Sequence, residues 1–238
     1  MALFAGGGWQ DIRHTEVDAA RLLLILNQFG VAIDDFCAQL QCYPTYPVVR
    51  YFTPEYKLQK LDFLLRYPTY FSYELIELYR LRVPAASDGE EIKQLVRGIL
   101  SDQEPDRRTD LYRKFFRGAY ERLDRVEAWW YSRQLVYSRT EPRGNARPVK
   151  YYFLTDKVDT VVTHLVSHIP HAAWYEKRIQ LIDKYFGEFS AEQLKNRQYT
   201  HAPYQNAQLS EMIPDLSPTE LISHFEQTFE EPIGVNFE

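Results

Sequence analysis

The chain has 238 residues, 45% hydrophobic, 26% charged and 15% aromatic, with a net charge of −5. This suits one large domain, or a small domain with a helical extension, built on a real core. The longest aliphatic run, Leu22–Leu26, falls far short of the roughly 20 apolar residues that cross a bilayer, so no membrane partner is expected.

Met1–Gln10 has neither a basic nor an apolar leader region, which argues against a signal peptide. The two cysteines, Cys37 and Cys42, form a lone C-x4-C pair, too few for a disulfide scaffold and a poor zinc site. Both are expected to be reduced and incidental, in a cytoplasmic protein. Charge is uneven: Pro105–Lys150 carries twelve Lys/Arg against six Asp/Glu, and His201–Glu238 carries seven acids with no Lys or Arg. Such a chain is no general nucleic-acid coat, though its middle can hold a local basic surface.

In chain order, Thr15 reads as the N-cap of an apolar helix over Ala19–Phe29, ended by Gly30. The Tyr- and Pro-rich stretch Ala32–Phe52 reads as irregular or extended. Leu58, Leu61, Leu64 and Leu65 then recur at helical spacing over Glu55–Arg66, where Asp62 and Arg66 sit four apart. Tyr67-Pro68 breaks that helix, and Pro68 opens the next. Ser87 to Glu90 reads as a capping box for a helix carrying Ile92, Val96 and Ile99. Ser101–Asp106 is the best boundary.

Arg107–Gln134 reads as helical with an interruption at Gly118, followed by a strand at Leu135–Arg139, a turn over Glu141–Pro148 and a strand at Val149–Leu154. Thr155 reads as the cap of the helix after it. Helix, helix, strand, basic turn, strand, helix is the order of a winged helix-turn-helix. The run Tyr151–Lys157 resembles that of many winged-helix regulators, with Val158 where they usually have glycine. Helices are expected over Asp156–His168, His171–Phe186, Ser190–Tyr199 and from Ser217, with an extended tail over Glu231–Glu238. The expected fold is mainly α: a helical region (1–104), a central winged helix with a small β-wing (105–169), and C-terminal helices with a tail (170–238).

Arg139, Arg143, Arg147 and Lys150 cluster about the wing and are the candidates for contact with DNA phosphates or a partner. The recognition helix expected over Tyr120–Arg133 carries Trp129-Trp130-Tyr131 and the acids Glu121, Asp124 and Glu127. These favour a protein-facing surface over sequence readout. No phosphate-binding, dinucleotide, zincin or nucleophile-elbow motif is present. His164, His168 and His171 are the only metal candidates, and they lack companion ligands. An enzyme, a cofactor and a metal are therefore not expected.

One stretch is more specific. Leu58-Gln59-Lys60-Leu61-Asp62-Phe63-Leu64-Leu65-Arg66-Tyr67-Pro68 resembles a motif of the middle components of three-component ABC-ATPase defence systems, which include the Lamassu accessory subunit. Arg21–Leu26, Arg117–Leu123, Arg133–Val136, Leu154–Lys157 and Leu194–Tyr199 match further elements of that family. Ala119, Tyr120 and Gln134 stand where the family has proline, tryptophan and glycine. The resemblance covers most of residues 15–200.

It implies a non-catalytic accessory subunit that docks a nuclease or other effector onto an SMC- or Rad50-like ATPase in antiphage or antiplasmid defence, with non-specific DNA-backbone contact admitted. Within the motif, Leu58, Lys60, Leu61, Asp62, Phe63, Arg66, Tyr67 and Pro68 either pack the helices or meet a partner. The alternative is a stand-alone winged-helix transcription regulator.

Overall fold

The structure is a computed structural model. It describes residues 8–40, 47–102, 112–115 and 118–235, with side chains at all of these except 8–14, 36, 113, 115 and 120. Cys42, Tyr43–Tyr46 and residues 107–111 lie outside the described residues, as do Arg117 and the last three residues of the tail.

The elements follow as α1 (Gly8–Phe29), β1 (Val31–Ala32), α2 (Asp35–Leu40), β2 (Val48–Phe52), α3 (Glu55–Arg66), α4 (Pro68–Arg80) and α5 (Gly89–Ser101). After them come β3 (Arg113–Phe115), β4 (Gly118–Tyr120), α6 (Asp124–Ser132), β5 (Val136–Arg143), β6 (Ala146–Thr155) and α7 (Lys157–His168). The chain closes with α8 (Pro170–Phe186), α9 (Ala191–Gln198), α10 (Ala202–Asn206) and α11 (Pro218–Phe229). The fold is mainly α with a small β-wing. It divides into two compact units, Met1–Leu58 with Arg122–Glu176, and Gln59–Glu121 with Lys177–Glu238.

The first unit contains the wing. Its antiparallel sheet has the order β1-β2-β6-β5. The β5–β6 hairpin turns through Gly144-Asn145, and Gly144 has φ +52, a left-handed conformation that glycine adopts without steric cost. The strands are longer than the sequence suggested and the turn is shorter.

On one sheet face Tyr137, Tyr151 and Phe153 bury Cys37 of α2. The opposite face meets α6, where Trp130 is fully buried edge-on to Tyr152 and its indole N–H donates to Ala19 O at 3.0 Å. α1 packs against α6 and α7. The unit is thus discontinuous in sequence and differs from the expected segment 105–169, because β2 completes the sheet and α1 supplies the helical wall.

Several local expectations change here. α1 begins at Gly8, so Thr15 lies inside the helix; no proline or glycine interrupts the chain from Trp9 to Phe29. A helix, α2, stands within the stretch expected to be irregular, and the Asp34 side chain accepts from Cys37 N–H at its start. Thr155 is not a cap: its hydroxyl donates to Gln134 O at 2.9 Å and its N–H to Leu135 O at 3.0 Å, joining the wing's exit to its entrance.

The second unit is helical around an aromatic core. α4 packs against α5 and α11. Phe63, Tyr67, Tyr70, Tyr112 and Tyr204 cluster with Ile213 and Leu216. The described part of 107–120 holds the β3–β4 hairpin instead of helix. Its extra partner is distant in sequence: Lys114 N–H donates to Glu211 O, Ser210 N–H to Lys114 O and Ile213 N–H to Tyr112 O. A ladder across about a hundred residues overrides local helix propensity. Asp88, not Ser87, caps α5 by accepting from Glu90 and Glu91 N–H. Ser190 and Gln193 form the expected capping box at α9, and Pro68 opens α4.

Candidate functional site

The wing brings Arg139, Arg143, Arg147 and Lys150 onto one hairpin, in two different situations. Lys150 is spent inside the unit: its ammonium lies 2.7 Å from Glu127 and 3.6 Å from Glu55, over the Tyr152 ring. Glu127 also accepts from Tyr152 OH at 2.9 Å and Ser138 OH at 2.9 Å, so the carboxylate that opens α6 is the hub of the wing's inner face. Burial raises the carboxyl pKa of Glu55 beside it, with Lys150 opposing.

Arg139 donates to the carbonyl of Leu40, the last residue of α2, and pairs with Glu141. Toward the tip, Arg143 donates to Tyr151 OH at 3.1 Å, and Arg147 is exposed. The cations that remain near the tip are therefore Arg143 and Arg147.

α6 is shorter than the helix expected over Tyr120–Arg133, and it presents Asp124 and Glu127 in its first turn. Glu127 is turned inward to Lys150, and Asp124 is exposed at that end between the exposed Arg122 and Arg125. Its Trp129 is covered by the Arg133 guanidinium, 3.9 Å from the ring, while Tyr131 remains 54% exposed. Sequence reading missed Arg50, which donates to Asn27 O and Asn27 Oδ1, both at 2.8 Å, and pairs with Asp159 at 2.5 Å. It joins β2 to α1 and α7. No spacing rule reaches across those three segments.

In the motif, Leu58, Lys60, Leu61, Asp62, Phe63 and Tyr67 are all buried. Within the second unit, Asp62 accepts from Tyr112 OH, and the Arg66 guanidinium lies 4.0 Å from Asp62, 3.2 Å from Glu121 and 4.6 Å from the Tyr112 ring. Tyr67 OH accepts from Tyr112 N–H at 2.8 Å and donates to Ile213 O at 3.3 Å. Gln59 bridges both backbone polar groups of Glu121. Each polar side chain thus meets hairpin β3–β4 or the strand-like segment beside it. From Gln59 to Tyr67 the motif packs and hydrogen-bonds the interior of the second unit.

Lys60 is a buried cation. Its ammonium donates to Ala119 O at 2.8 Å, and burial, with Lys195 adding to it, pushes its pKa down to about 7. The cavity beside it, about 10 Å³, is lined by Lys60, Glu74, Arg197, Gln198 and His201 and is of the order of one water. Glu74 pairs there with His201 Nε2 at 2.6 Å and with Arg197. A space of that size holds no organic substrate.

His164 and His168 stack at 4.2 Å on the exposed side of α7, and His171 lies on α8. Among the described residues no group of three or more His, Cys, Asp or Glu is placed to hold a metal ion. Cys37 is buried, and desolvation pushes its thiol up to about 11. No described helix is long and apolar enough to cross a membrane. Comparison with protein-family models, curated proteins and solved structures finds no match for this chain.

Proposed function

We propose that this chain is a non-catalytic docking subunit of a cytoplasmic ATPase–effector defence complex. It would join an SMC- or Rad50-like ABC ATPase to a nuclease or other effector, with non-specific DNA-backbone contact as a secondary role. The observation that carries the reading is how the wing's charge is used: Lys150 and Arg139 are committed to Glu127, Glu141 and the Leu40 carbonyl. With two of the four wing cations so committed, Arg143 and Arg147 are what the wing has left for a duplex, and exposed Asp124 opens α6. Exposed Tyr131 supplies contact area suited to a protein partner. The resemblance of Leu58–Pro68 to the middle components of such systems names the class of complex.

Co-expression with an SMC- or Rad50-like ATPase and effector encoded beside this chain, followed by affinity purification, tests the proposal. The expected result is a stable ternary complex that survives charge reversal at Arg143 and Arg147. A chain that purifies alone and ignores an adjacent ATPase refutes it.

The second reading is a winged-helix regulator acting on operator DNA, favoured by Arg143 and Arg147 near the wing tip. It predicts a homodimer whose DNA affinity falls steeply with salt and is lost in R143E/R147E.

A further inference from the structure

A groove of about 650 Å³ opens in the second unit, lined at the end of α4 by Tyr79, Arg80 and Arg82, by Ser87 before α5, and by α11 residues that include His224. Its volume is that of sites for small organic ligands. None of its lining residues is acidic, and two are arginines.

The two guanidiniums differ. Arg80 is held by Glu77 at 2.9 Å. Arg82 is exposed and has no ion pair among the described residues. Arg82 also has φ +55, in the turn that ends α4, where its N–H donates to Tyr79 O and Val83 N–H donates to Leu78 O. This left-handed position after a helix is the one that glycine normally fills. An arginine there, in a conformation that costs a side chain strain, places its guanidinium at the groove without an ion-pair partner among the described residues.

His224 forms part of the wall, its Nε2 2.9 Å from Glu77 and its ring stacked on Tyr73 at 4.0 Å. The first amides of α5 are already taken by Asp88. The binding power of the groove therefore lies in its guanidiniums.

We propose that this groove binds a small phosphate-bearing anion, up to the size of a mononucleotide, with Arg82 as its main contact. A guanidinium presents a planar fork of donors that matches two phosphate oxygens. Arg80, oriented by Glu77 and with its charge largely offset by it, offers further N–H donors, and the Ser87 hydroxyl adds a neutral one. The site is independent of the docking role proposed above, and it can fail while that role stands.

Calorimetric titration of the full-length chain at low salt with sodium pyrophosphate, and separately with AMP, tests it. Saturable one-to-one binding in the millimolar range or tighter is expected for at least one probe. Preference for pyrophosphate assigns a phosphate chain as the ligand, and preference for AMP assigns a nucleotide. R82G removes the guanidinium and relieves the left-handed backbone together, so it folds at least as stably as the parent and binds about tenfold or more weakly. R80E/R82E abolishes binding, whereas R143E leaves it unchanged. Absence of saturable binding for both probes, or R82G binding within about twofold of the parent, overturns the proposal. So does an R82G chain of lowered melting temperature with intact binding, which would make Arg82 a purely structural residue at the end of α4.

Discussion

Lys60 gives the sharpest test of the interior. Burial and Lys195 lower its pKa from 10.5 to about 7. The unfolded chain therefore holds a proton between those values that the folded chain has released. Stability rises with pH wherever the unfolded state binds more protons, so this contribution grows from about pH 7 toward 10.5 and is lost as pH falls toward 7. The full shift is worth about 5 kcal/mol, with a limiting slope of about 1.4 kcal/mol per pH unit.

Lys60→Met keeps the volume and removes the buried charge. It also leaves the Ala119 carbonyl without its side-chain donor, a cost of about 1–2 kcal/mol. At pH 6 the variant is expected to be more stable by roughly 3 kcal/mol, and the gain vanishes or reverses by about pH 9.5. Urea unfolding of both proteins from pH 6 to 9.5 measures this. The range stops short of the region where Tyr67, Tyr70 and Tyr204, their pKa values raised by burial, would weaken the fold. Parallel stability curves for the two proteins across this range would show that Lys60 is solvated or paired, and would refute the reasoning.

Gln134 has φ +60 in the turn after α6, the position where the resembling family has glycine. Gln134→Gly is expected to stabilise by about 0.5–1 kcal/mol, since relief of left-handed strain exceeds the added chain entropy and the lost contact to Lys157; an unchanged or lower thermal midpoint contradicts this. Asp62→Ala leaves the buried Tyr112 OH without its acceptor while Arg66 keeps Glu121 at 3.2 Å, and is expected to cost about 1–3 kcal/mol in urea unfolding. A loss below about 1 kcal/mol would mean that the motif is not internal. Trp130→Ala removes a fully buried ring and its bond to Ala19 O, an expected loss of about 3–5 kcal/mol, followed by the quenching of indole fluorescence as the chain unfolds.

Local chemistry made much of this chain legible from its sequence. The period of Leu58, Leu61 and Leu65 gives α3, Tyr67-Pro68 ends it, and Ser190 with Gln193 caps α9. Two β-forming runs about a glycine-containing turn give the wing, and no apolar run is long enough to span a bilayer. Each of these signals acts within a few residues, where sterics and hydrogen-bond geometry suffice.

Tertiary structure alone decided the rest. Residues 113–115 and 118–120 pair as strands where residues 210–213 extend their backbone pairing, and Thr155 turned from a cap into a link to Gln134. Lys150 and Arg139 look like free wing cations in the sequence, yet Glu127, Glu55 and the Leu40 carbonyl claim them from other segments. The reason is physical: a side chain's charge is fixed by its type, but whether that charge reaches solvent depends on which distant backbone and carboxylate groups the fold brings within about 3–4 Å.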